Sequence, residues 1–164
     1  MINDVSAMRL DRQMPAVMAE SGAAVVFMHM RGIPQTMQEG DLHYASLQGE
    51  IIEFFRERLS AAQAEGISPG QVIIDPGIGF GKTGSDSLKL LKYLPEYRVL
   101  GRPILAGPSR KSFLGQAGQR AADRLEETAA AVTAAIMKGS QIVRVHDVKA
   151  MKRVAAVADA IAGA

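Results

Sequence analysis

The chain has 164 residues and a formal net charge of +2, with 48% of residues hydrophobic, 22% charged and no cysteine. This composition excludes a disordered chain, disulfides, thiolate metal centres and a cysteine nucleophile, and so small a charge makes no electrostatic case for nucleic acid. The length suits one domain able to bury a core, so residues 1–164 are expected to form a single unit.

The opening MINDV reads as the end of a strand. Residues Leu10–Glu20 follow as a modest helix, with Pro15 admissible in its first turn. A second strand is expected over Ala23–Met30 (AAVVFMHM) and a long helix over Asp41–Glu65. In that helix Leu47, Ile51, Phe54 or Phe55, and Leu59 recur at spacings of three and four, and Gly66 supplies a stop. Then come a strand over Gln71–Asp75, a short helix over Asp86–Leu94 ending before Pro95, and a strand over Pro103–Ala106. An alanine-rich helix over Arg120–Lys138 stops at Gly139, and a strand at Gln141–Val145 and a helix at Val148–Ala162 complete the chain. No apolar run approaches the roughly 18 residues that span a bilayer, and no signal-peptide pattern follows Met1, so no membrane partner and a cytoplasmic location are expected.

Short apolar strands alternating with helices indicate a parallel sheet in an α/β fold. Each strand ends in a polar cluster: Asn3-Asp4, His29-Met30-Arg31, Asp75-Pro76-Gly77, Ser109-Arg110-Lys111 and Arg144-Val145-His146-Asp147. Chemistry converging from five consecutive strand ends favours a (β/α)8 TIM barrel over an open doubly wound sheet. Five strands are fewer than eight, so the expected architecture is a partial barrel, the C-terminal portion of a larger one. Its two unpaired edges, at Ile2 and Ile142–Val145, would favour self-association.

DPGIGFGKT, residues 75–83, resembles a phosphate loop without satisfying one. A Walker motif needs glycine where Pro76 stands, and GxGxxG fails at Lys82. The glycines still imply a tight loop, and Asp75 ends a strand where its carboxylate can accept hydrogen bonds from ligand amino groups or cap a turn. Ser109, Arg110 and Lys111 suit an anion or a π-system at the barrel mouth, or a solvated loop before a helix. Arg144 and His146 alternate with Val145 and so face one side, where an inward arginine needs an anionic partner. His29 reads equally as a core or a supporting histidine, and Met28 as packing or a soft wall for a flat ligand. The three histidines form no HExxH pair, and no metal ligands are expected.

NDVSA, MHMRGIPQTMQ, DPGIGFGKT, GPSRKSFLG and RVHDV, in this order and spacing, resemble the bacterial dihydropteroate synthase family, and the likeness runs from Asn3 onward. The family implies a TIM barrel that condenses 6-hydroxymethyl-7,8-dihydropterin pyrophosphate with 4-aminobenzoate, giving 7,8-dihydropteroate and pyrophosphate for folate synthesis. By that resemblance Asn3, Met28, Asp75, Phe80, Gly107 and Lys111 bind the pterin, Arg144 and His146 hold the pyrophosphate, and Ser109 lies beside the aminobenzoate site. Lys111, Arg144 and His146 are the residues expected to act in catalysis. The family also implies a Mg2+ cofactor, sulfonamide sensitivity and a homodimer through late helices when the barrel is complete.

The segments that supply the magnesium ligand, part of the aminobenzoate site and a third pterin-binding acid in the family have no counterpart here. The chain by itself is therefore expected to hold most of the pterin pocket and to turn over little. A pterin-binding methyltransferase barrel and a non-catalytic truncated fragment are the alternatives. The first is disfavoured by SRKSFLG and Arg144-Val145-His146, because methyl transfer needs no pyrophosphate pocket.

Overall fold

The computed structural model describes residues 1–164. Five parallel strands and five α-helices alternate: β1 (Ile2–Asp4), α1 (Met14–Ser21), β2 (Val25–Met28), α2 (Leu47–Ala64), β3 (Val72–Asp75), α3 (Gly84–Lys92), β4 (Leu105–Ala106), α4 (Leu125–Met137), β5 (Ile142–Val143) and α5 (Val148–Ala162). β1 pairs with β2 and β2 with β3, in a register that sets Asn3 opposite Val26 and Met28 opposite Asp75. A bridge between Ile74 and Ile104 joins β3 to the β4 segment, and β4 pairs with β5. Spatial order thus follows chain order, as in part of a barrel wall. None of the helices is long and apolar enough to cross a membrane.

Period-two alternation sorts the side chains into two layers. Val25, Phe27, Val72, Ile74, Ile104 and Ala106 point outward into a cluster of 21 buried residues shared with the helices. Val26, Ile73 and Leu105 point inward and form a cluster of three, with Ile142 against it. Most apolar burial therefore lies between sheet and helices. The inward face runs on from its small apolar plug to the polar strand ends.

Several boundaries differ from expectation, each for a local reason. α1 starts only at Met14, because Asp4 collects the Ser6 and Met8 backbone N–H groups (2.8 and 2.6 Å) and holds the chain in a turn. Residues 41–46 stay out of α2, since Arg31 donates to the His43 carbonyl (2.6 Å) and Tyr44 donates its hydroxyl to the Gly81 carbonyl (2.8 Å). Within α2 the buried stripe is Leu47, Ile51, Phe55 and Ala62, while Phe54 lies on the His29 ring. α3 begins at Gly84, after Thr83 caps it by accepting the Asp86 N–H (3.0 Å), and a 3-10 helix, Leu94–Leu100, carries Pro95. α4 begins at Leu125, because Arg124 donates back to the Arg110 carbonyl (2.8 Å).

Candidate functional site

Continuing the inward alternation past the apolar plug places Asn3, Met28, Asp75, Gly107 and Arg144 at the same end of neighbouring strands. Phe80, Gly107, Ser109, Lys111, Arg144 and His146 line one open cleft there. Of the residues expected to bind pterin, Phe80, Gly107 and Lys111 therefore share the cleft with Arg144 and His146, while Asn3 and Asp75 adjoin it through Arg144 and Met28 is buried.

Asp75, behind Arg144, has 0% of its surface exposed. Its Oδ1 accepts the Gly77 N–H (2.8 Å), which rigidifies the turn. Its Oδ2 sits 2.8 Å from Arg144 Nη2 but off the N–H axis, a charge contact that leaves the oxygen without an aligned donor. Burial pushes the Asp75 carboxyl above its usual range, opposed by the Arg144 charge and the Gly77 N–H. A buried acceptor with spare capacity suits the amino and ring N–H groups of a flat heterocycle. Asn3 Oδ1 lies on the same side and accepts from Arg144 Nη1 (3.0 Å). Met28 is fully buried at the end of β2, level with Asp75.

Gly107 has a steric role. A Cβ there would lie 2.9 Å from Arg144 Nη2 and 3.3 Å from Cζ, so glycine lets the guanidinium lie against β4. Opposite it, Lys111 Nζ stands 4.0 Å from the centroid of the Phe80 ring, a cation–π contact that fixes both. Burial lowers the Lys111 pKa, the Arg144 charge lowers it further, and Asp75 opposes both.

Ser109 is buried, and its hydroxyl is committed to His146. Its Oγ accepts the His146 backbone N–H (3.1 Å) and lies 2.9 Å from Nδ1 of the ring. The contact holds the imidazole by Nδ1 and leaves Nε2 free of Ser109, so that an N–H at that nitrogen would be a donor suited to an anion. Ser109, expected beside an aminobenzoate, contacts His146 and lines the same cleft.

Three residues take roles that the sequence reading did not assign them. Arg110, in the left-handed region at φ 59°, turns away from the cleft and forms a bidentate pair with Asp147 (2.9 and 2.6 Å). That reversal aims Ser109 and Lys111 inward and ties the β4 loop to the β5 loop. Lys82, read only for its failed Walker match, is turned inward and 3% exposed. It donates to His29 Nδ1 and to the Phe80 carbonyl (2.9 Å each), stapling the loop that carries Phe80 to the end of β2. His29, packed edge-on to Phe54, is thus a support outside the cleft. Gly77 is the third, because a Cβ there would run into the His29 backbone carbonyl. No nearby sequence signal marks these pairs, since Lys82 and His29 are 53 residues apart.

Burial brings the Lys82 amine down to about 7 from 10.5, and His29 down to about 2 from 6.5, with the Lys82 charge adding to the second. Above pH 7 the unfolded chain keeps the lysine proton while the folded chain sheds it. Stability should therefore rise between pH 7 and 10.5, by at most about 1.4 kcal/mol per pH unit. Below pH 6.5 the unfolded chain takes up the histidine proton first, so stability should fall toward acid. Urea denaturation across this range should show both limbs, and Lys82→Met should flatten the alkaline one. An unchanged alkaline slope would refute a buried, proton-shedding Lys82.

No three Asp, Glu or His side chains converge as metal ligands, and the acids nearest the cleft, Asp75 and Asp147, already face Arg144 and Arg110. The cleft as built is an anion and π-system receptor, and a side-chain magnesium site does not fit it.

The family model for pterin binding enzymes matches residues 1–146. The dihydropteroate synthase of a Synechocystis strain is 44% identical over 163 residues, covering 98% of this chain and 56% of that protein. A crystal structure of the Yersinia pestis synthase with a sulfonamide drug complex superposes with a TM-score of 0.94 at 34% identity, over 99% of this chain and 59% of that one. The Xanthomonas albilineans synthase in complex with 7,8-dihydropteroate superposes at 0.89 with 36% identity, over 100% and 60%. The chain thus spans about half the length of the curated relative and about 60% of these solved chains.

Proposed function

The chain belongs to the pterin binding enzyme family, and from that premise we propose that it carries the pterin and pyrophosphate half of a dihydropteroate synthase site. The substrates would be 6-hydroxymethyl-7,8-dihydropterin pyrophosphate and 4-aminobenzoate, joined to form 7,8-dihydropteroate in folate synthesis. The observation that carries this reading is the fully buried Asp75, with an unaligned acceptor oxygen, held 2.8 Å from Arg144 of a cleft that Lys111 and His146 also line. It joins a receptor for a donor-rich flat ring to a receptor for an anion. A methyl-transferring barrel would need only the first. Relatives and structural neighbours bear the synthase name, one of them in complex with the pteroate product.

On this reading Asn3 and Asp75 hold the amino-pyrimidinone edge of the pterin, between Met28, Phe80 and Gly107 as walls. Lys111 contacts the pterin beside Phe80, and Arg144 and His146 face the pyrophosphate. As the carbon–oxygen bond breaks, charge grows on the leaving group, and these donors gain most at that point. The aromatic amine then forms a carbon–nitrogen bond at the same methylene carbon, its proton passes to solvent, and the freed pyrophosphate leaves the site. Ser109 orients His146. Magnesium would assist the same departure, but not on ligands from this chain. A cytoplasmic location, a homodimer, sulfonamide sensitivity and a single unit over 1–164 belong to the same proposal.

Isothermal titration with the pterin pyrophosphate tests the reading: saturable one-to-one binding is expected, with dihydropteroate formation far below that of a full-length synthase. Absence of binding would refute the pterin reading. Turnover matching a full-length synthase would refute the view that the chain holds only half the site.

A further inference from the structure

The two acceptors assigned to the pterin, Asn3 Oδ1 and Asp75 Oδ2, are both met by a single side chain. Arg144 reaches Asn3 with Nη1 at 3.0 Å and Asp75 with Nη2 at 2.8 Å. The three residues come from β1, the end of β3 and the segment after β5, so the sheet itself brings this contact about.

The chemistry of the occupant is telling. A guanidinium and the 2-amino-4-oxopyrimidine edge of a pterin both present N–H donors on a planar carbon bearing nitrogens, and both complement a carboxylate. Arg144 thus stands where a ligand of like donor pattern would stand. Gly107 lets it lie there, since a Cβ at that position would crowd Nη2 and Cζ. The contact also gives the buried Asp75 a counter-charge.

We propose that Arg144 is a specificity gate: its guanidinium occupies the Asn3–Asp75 acceptor pair until a pterin with an anionic tail displaces it and gives it a new partner. This rests on the pterin reading above and adds selection to it. A tailless pterin must expel the guanidinium with nothing to offer in exchange, so its apparent affinity falls by the fraction of molecules whose gate is closed. A pterin pyrophosphate repairs the loss, because Arg144 and His146 lie two residues apart on one side of the chain and line the same cleft.

The test is titration of the 164-residue chain and two variants with 6-hydroxymethylpterin and with its pyrophosphate ester. Arg144→Ala should bind the tailless pterin about 5- to 10-fold more tightly and the pyrophosphate ester at least about 10-fold more weakly. Arg144→Lys retains a charge for both Asp75 and the tail, which guards against misfolding, yet one ammonium cannot span Asn3 and Asp75 together. It should keep ester affinity within a few-fold and also bind the tailless pterin more tightly. If both variants lose affinity for both pterins by the same factor, Arg144 is a plain binding contact and the gate is refuted, with the pterin reading intact. If neither wild type nor variants bind either pterin, the pterin reading itself fails and takes the gate with it.

Discussion

Gly77→Ala is expected to lower the unfolding free energy by about 3–5 kcal/mol, measured by urea denaturation. Gly77 has φ 73°, in the left-handed region, which costs a residue with a side chain about 1–2 kcal/mol. The larger contribution is steric. A Cβ there would lie 1.9 Å from the His29 carbonyl oxygen and 3.0 Å from its carbon, and both are backbone atoms with no rotamer to escape into. One of the two strand-end loops must move. That movement loosens the Gly77 N–H bond to Asp75 (2.8 Å) and the His29 N–H bond to the Asp75 carbonyl (2.9 Å), so pterin affinity should fall as well. Gly66→Ala is the matched control: φ is +80°, but nothing lies within 4 Å of its Cβ, so only the conformational cost of about 1 kcal/mol applies. Equal losses at the two positions would refute the close approach of the β2 and β3 ends.

Asp75→Asn is expected to cut pterin affinity by about 100-fold or more while leaving stability unchanged or higher at pH 7.5. The two effects separate because this carboxylate is poorly compensated. Burial raises its pKa in the folded chain despite Arg144 and the Gly77 N–H. The folded state therefore holds the proton to higher pH than the unfolded chain does. Between those two pKa values stability falls as pH rises, so ionisation of the buried group works against folding. Asparagine keeps the shape and an acceptor for Gly77, removes the buried charge, and leaves Arg144, 39% exposed, to be solvated by water. For the ligand the exchange is adverse, since an amide can turn an N–H toward the donors of the pterin edge and leave them unpaired. Thermal melts and calorimetric titration of the same preparation check both halves. A stability loss of several kcal/mol would mean that Asp75 is a structural ion pair.

Asp75 and Gly77 were legible in the sequence to different degrees. Asp75 closes the apolar run VIID, and the strand period alone sends it to the same side as Ile73, so its inward position follows locally. The same rule groups Arg144 with His146. Gly77 could be read as a turn glycine, but not as one pressed against His29, because the partner belongs to another strand end. Helix boundaries shifted wherever a side chain captured backbone groups, as at Asp4, Arg31 and Arg124, and such captures depend on neighbours brought up by folding.

By itself the sequence determined that the fold is α/β, that its strands are parallel, and which residues stand at the strand ends. Those are consequences of alternation, helix spacing and glycine stops, all read within a few residues. Tertiary structure alone decided what the charged side chains do there: Arg144 on Asn3 and Asp75, Arg110 on Asp147, Lys82 on His29. A charge settles where burial, Coulomb attraction and donor geometry balance, and its partners here lie 37 to 141 residues away in the chain.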